Sequence, residues 1–187
     1  MKIADVLAQG AVPVVAILRG VETHEVVAIG EALVEAGVRL IEVPFNSPDP
    51  AGSIAALSAA LEDRAAIGGG TVISTGLAED LAGAGGTFMV SPNTDRAVIT
   101  HSLQLGMDVL PGFLTPTEAF AAVSAGARDL KLFPGSVLGA SYVKAILDVL
   151  PRDTRVWAVG DVLPRDTRVW AVGGVGPANI AEYRKAG

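Results

Sequence analysis

At 187 residues, half of them hydrophobic and none of them cysteine, the chain has material for one domain with a sizeable core. Disulfides, cysteine-ligated zinc and thiol catalysis are excluded. Fourteen basic against 20 acidic residues give a formal charge of −6 with no Lys/Arg stripe, so nucleic acid is not an expected partner, and His24 and His101 lie outside any metal-binding spacing.

The chain opens on Met1, Lys2, Ile3, Ala4 and Asp5, an acid where a signal peptide carries positive charge, and the apolar run over residues 12–18 stops at Arg19. That run reads as a strand. No apolar stretch reaches the roughly 18 residues of a transmembrane helix, so no membrane partner is expected and the cytoplasm is the expected location. Short β-type runs recur at residues 15–20, 40–45, 67–72, 88–92, 108–113, 129–135 and 155–160, with starts 20 to 27 residues apart. One strand, one loop and one helix per unit is the period of a parallel sheet built from βα repeats. Helices fit between, for example residues 22–36, closed by Gly37, and 115–125, closed by Gly126. The latter has Thr115 as N-cap, Pro116 at the first helical position and Glu118 at capping-box spacing.

A dinucleotide-binding open sheet wants GxGxxG after its first strand, where this chain has Ile17, Leu18, Arg19, Gly20 and Val21. The pattern predicts instead an α/β fold, a (β/α)8 TIM barrel spanning residues 1–187 as one domain. Active sites of such barrels lie at the C-terminal strand ends, where the sequence places Arg19, Glu42, Thr71 and Lys131. Each has apolar or small neighbours: Leu18 beside Arg19, Ile41 and Val43 around Glu42, Gly70 and Val72 around Thr71. If the apolar set faces the helices, the polar set faces the barrel interior. Lys131 is the candidate nucleophile, sharing a face with Phe133 while Leu130 and Leu132 take the other. Burial lowers a lysine's pKa and supplies the free amine that attacks a ketone. A lone strand-end lysine more often snorkels to water; a Glu and a Lys directed into one barrel argue for chemistry.

Residues 14–20 (VVAILRG), 41–48 (IEVPFNSP), 68–72 (GGGTV), 88–92 (FMVSP), 110–112 (LPG) and 130–134 (LKLFP), taken together, resemble the KDPG/KHG aldolase family. The match runs to about residue 150 and resumes at Val169. The resemblance implies a class I aldolase that cleaves a phosphorylated keto sugar acid to pyruvate and glyceraldehyde 3-phosphate, needs no metal or other cofactor, and assembles as a homotrimer. It implies Lys131 as the Schiff-base residue and Glu42 as general acid/base acting through a water. Thr71, with the backbone amides of Gly68, Gly69 and Gly70, would hold the pyruvyl carboxylate, and Pro92 joins the substrate-binding set. Galactonate-type members resemble PLNSP after the strand-two glutamate and draw an arginine from strand one. Asn46 and Arg19 therefore imply the galactonate configuration, although Phe45 stands where leucine is usual. The substrate phosphate is expected at Gly173, Gly174 and Val175, where a strand enters a helix whose first turn has free N–H groups.

Residues 148–160, DVLPRDTRVWAVG, recur unchanged as residues 161–173. The resemblance implies that this segment occurs once and that the chain continues past Gly187 into an eighth strand, which is expected to be missing here. Only seven residues, Asp161 to Thr167, separate the two copies of RVWAVG, fewer than a parallel crossover needs. Because the first copy would run into Asp161, which repels the phosphate, and the second into Gly174, Val175 and Gly176, residues 169–173 are expected to form strand seven, with part of 148–167 extruded or disordered and open edges at strands one and seven. Three other readings stand beside this one: a family aldolase of other specificity, another phosphosugar barrel enzyme in which Lys131 is only electrostatic, and a barrel that binds keto acid or phosphate without turnover.

Overall fold

The computed structural model of the chain describes residues 1–135, 138–158 and 170–172. Helix α1 (Ile3–Ala8) precedes the first strand, β1 (Val12–Ile17). Then follow α2 (Val26–Glu35), β2 (Val38–Pro44), α3 (Pro50–Leu61), β3 (Ala66–Gly70), α4 (Thr75–Gly83), β4 (Phe88–Val90) and α5 (Arg96–Gln104). The second half holds β5 (Asp108–Leu110), β6 (Gly112–Phe113), α6 (Pro116–Ser124), β7 (Asp129–Leu132), α7 (Gly139–Leu147), β8 (Arg155–Ala158) and β9 (Trp170–Val172).

All pairings are parallel, in the order β5, β4, β3, β2, β1, β9, β8, β7, β6. The two ends of that order are halves of one run broken at Pro111: β5 pairs with β4, and β6 with β7. The ring therefore closes, and the expected barrel architecture is present. Alternation divides its residues as expected. Ile41, Val43, Leu130, Leu132 and Val156 pack outward against helix residues such as Ile54, Leu57, Ile99 and Ile146. Val15, Leu40, Ala66, Phe88, Val90, Leu110 and Trp157 fill the interior. Fully burying one such side chain contributes about 1.5–3 kcal/mol.

The closure of the ring differs from the expectation for the repeat. Strand seven is β8, from the first copy, aligned with β7 from Asp129↔Arg155 to Leu132↔Ala158. The second copy supplies β9, between β8 and β1, with pairs Trp157↔Trp170 and Val15↔Val172. Neither β1 nor β8 has an open edge. The described strands end at Ala158 and resume at Trp170, and β8 and β9 pair in parallel, contrary to the expectation that the two copies cannot be consecutive parallel strands. Gly173, Gly174 and Val175 lie outside the described residues, as does the segment expected to be extruded from 159 onward.

Two local predictions are met closely. Thr115 caps α6 and accepts from the Glu118 N–H at 3.4 Å, while the Glu118 carboxylate accepts from the Thr115 N–H at 2.8 Å. Gly126 ends that segment at φ 108°, in the left-handed region that favours glycine. One element was not anticipated. Helix α1 closes the barrel floor, with Ile3 and Val6 packed in the interior cluster and the Ile3 N–H donating to Asp108 at 2.8 Å.

Candidate active site

Lys131 sits in β7 with only 7% of its surface exposed. Its register partners are Gly112 on one side and Trp157 on the other. Gly112 has no room for a side chain, because a Cβ there would lie 2.4 Å from the Pro92 carbonyl. The Lys131 ammonium lies 5.1 Å from the centre of the Phe133 ring, as the alternation predicted. Burial pushes the Lys131 pKa down, and Arg19 acts in the same direction, while the charge of Glu42 opposes them.

Glu42, in β2 between Ile17 of β1 and Gly68 of β3, is 1% exposed. One of its carboxylate oxygens, Oε2, has no hydrogen-bond partner among the described residues. Burial pushes its pKa up, against the pull of Lys131 and Arg19. Gly70 makes the space for this carboxyl: a Cβ there would come within 2.8 Å of Oε1. Burial thus moves the amine's pKa below and the carboxyl's above their ordinary values, the directions that imine formation and acid/base transfer call for.

The remaining candidates surround the mouth. Arg19 and Gly20 follow β1, and Asn46 and Ser47 follow β2; the Gly20 N–H donates to the Ser47 hydroxyl at 3.2 Å, tying the two loops together. Arg19 and Asn46 are exposed, Pro92 half-buried. Thr71 lies one residue beyond β3, not within it, with φ at 60°. For a β-branched residue this is a strained conformation of the kind that gathers at functional sites. Among the described residues, no group of three or more His, Asp or Glu is gathered for a metal ion, and no helix is long and apolar enough to cross a membrane.

Sequence reasoning missed a polar cluster under this site. Asp129, 6% exposed, accepts from Arg155 Nε and Nη2 at 2.6 and 2.7 Å and from the Trp157 indole N–H at 2.7 Å. The signal was available in the two-residue spacing that places Asp129 with Lys131, and Arg155 with Trp157.

A parallel barrel with a desolvated lysine and a buried carboxyl at one mouth defines a class of barrel enzymes suited to imine chemistry. The chain matches the family of KDPG and KHG aldolases over residues 4–187, and it belongs to that family. It is 48% identical over 146 residues to the probable 2-dehydro-3-deoxy-6-phosphogalactonate aldolase of Rhizobium meliloti (strain 1021), covering 78% of this chain and 69% of the relative. Identity to the 2-dehydro-3-deoxy-6-phosphogalactonate aldolase of Escherichia coli (strain K12) is 43% over 150 residues, covering 80% and 73%. Among solved structures, one of native KDPGal superposes with a TM-score of 0.84 at 37% identity, covering 94% of this chain and 96% of that one.

Proposed function

We propose that this chain is a class I aldolase cleaving 2-dehydro-3-deoxy-6-phosphogalactonate to pyruvate and glyceraldehyde 3-phosphate. The observation that carries the reading is the buried Lys131–Glu42 pair, in which burial holds the amine's pKa down and the carboxyl's up against the opposing charge of the partner. The neutral Lys131 amine adds to the C2 carbonyl, and loss of water leaves a protonated imine. Glu42, through a water, takes the proton from the C4 hydroxyl. The C3–C4 bond then breaks, its electrons enter the imine to give an enamine, and glyceraldehyde 3-phosphate departs. Protonation at C3 and hydrolysis release pyruvate and restore the amine.

In this proposal Thr71 and the Gly70 amide hold the pyruvyl carboxylate, Pro92 lines the same end, and Arg19 and Asn46 read the hydroxyl configuration. Gly173, Gly174 and Val175 take the phosphate. The chain acts as a single-domain protein in the cytoplasm and as a homotrimer, a state that light scattering reads directly. Borohydride reduction with pyruvate, followed by peptide mass mapping, tests the chemistry. A pyruvyl adduct on Lys131 is expected; an unmodified Lys131 under saturating pyruvate removes class I catalysis. Comparing kcat/KM for the galactonate and gluconate substrates tests the epimer preference, and Arg19→Ala is expected to erode it.

A further inference from the structure

We infer that Arg155 and Trp157 are positioning residues for this chemistry, which they serve by occupying Asp129, a buried carboxylate that would otherwise capture the Lys131 ammonium. The inference rests on the Schiff-base reading above. Asp129 and Lys131 stand two positions apart on the inward face of β7, about 7 Å along the strand. Across the ladder, Arg155 is the register partner of Asp129 and Trp157 that of Lys131. The guanidinium forks onto both oxygens of Asp129, and the indole N–H adds a third bond at 2.7 Å. A carboxylate has about four acceptor positions, so most of its capacity is taken up.

Buried anions do not stay unpaired. Deprived of Arg155, Asp129 would have Lys131 on its own face, within reach of the lysine's flexible four-carbon stem. Such a pair would hold the amine protonated, without the lone pair that attacks the ketone, and would draw Nζ from the mouth toward the barrel floor. The other charged groups around Lys131 among the described residues are Glu42 on β2 and Arg19 beyond β1, both of which act on its titration. Asp108 on β5 acts on Arg155.

The test measures where Lys131 titrates, without requiring turnover. Trace acetic anhydride labelling across a pH series, resolved by peptide mass, gives the midpoint for Lys131, and pyruvate–borohydride trapping is run on the same preparations. Arg155→Met is expected to raise the midpoint by about one unit or more and to slow trapping about tenfold at a pH below it. Asp129→Asn, which leaves the guanidinium without its carboxylate, is expected to lower the midpoint. Arg155→Lys keeps the wild-type profile, and the double variant Asp129→Asn/Arg155→Met returns toward it. Should Arg155→Met fail to fold, the Asp129→Asn shift carries the test. Unmoved midpoints, or shifts of the same sign in the two single variants, overturn the inference. Midpoints that move as stated in a protein that traps no pyruvate would sink the Schiff-base reading and leave this charge arrangement standing.

Discussion

Glu42 shows how one position can serve chemistry at the expense of stability. Its oxygen without a partner among the described residues and its buried setting suit a proton carrier better than a structural anchor. Glu42→Gln is expected to leave pyruvate trapping on Lys131 intact while slowing cleavage by about two orders of magnitude or more; equal kcat in both proteins would end that assignment. The pair also fixes a pH dependence. Glu42 is held above its ordinary value of 4.5, so stability falls as pH climbs from the unfolded pKa through the folded one. Lys131 is held below 10.5, so stability recovers only as pH rises from its folded pKa toward the unfolded one. Near neutrality both groups cost stability. Glu42→Gln combined with Lys131→Met is therefore expected to raise the unfolding free energy at pH 7 by about 1–3 kcal/mol. Urea titration measures it, and a decrease would mean that the pair holds the barrel together.

At the level of elements, α6 carries the clearest local signal. The Glu118 carboxylate accepts from the Leu114 and Thr115 N–H groups at 3.0 and 2.8 Å, and these bonds hold its pKa below the ordinary value. Glu118→Ala is expected to cost about 1 kcal/mol. The contribution is present above the unfolded pKa and lost as pH falls through the folded one, so thermal melts of the two proteins should converge in acid and differ near neutrality. The same legibility extends to Glu42 and Lys131, whose apolar neighbours alternate along their strands. It fails where structure comes from distant packing. Strand β1 covers Val12–Ile17, within the apolar run 12–18 and not the β-type run 15–20, because a turn through Gly20, φ 72°, takes over where sequence pattern alone reads more strand. Helix α1 has no hydrogen-bonding N-cap side chain and only two buried residues, so the barrel floor that receives it must define it. The Asp129–Arg155–Trp157 cluster joins residues 26 and 28 positions apart, a relation visible only once β7 and β8 lie side by side.

The whole ring depends on the repeat, since the first copy fills one place and the second the next. Because the copies are identical, removing either yields the same polypeptide, and in it one segment must serve two places. That deletion is expected to lower Tm and to promote aggregation through the exposed edges of β1 and β8; an undiminished Tm with a monodisperse particle would show that β9 is dispensable to closure. Where β8 and β9 pair, a residue sits beside its own duplicate, Trp157 beside Trp170 and Ala158 beside Ala171. A slip of one repeat length would thus exchange the two segments without changing the identity of any residue presented to β7. The chain carries two identical keys for adjacent locks, and a neighbouring molecule offers the same key again, so reciprocal exchange of this strand between two molecules would preserve the same strand contacts.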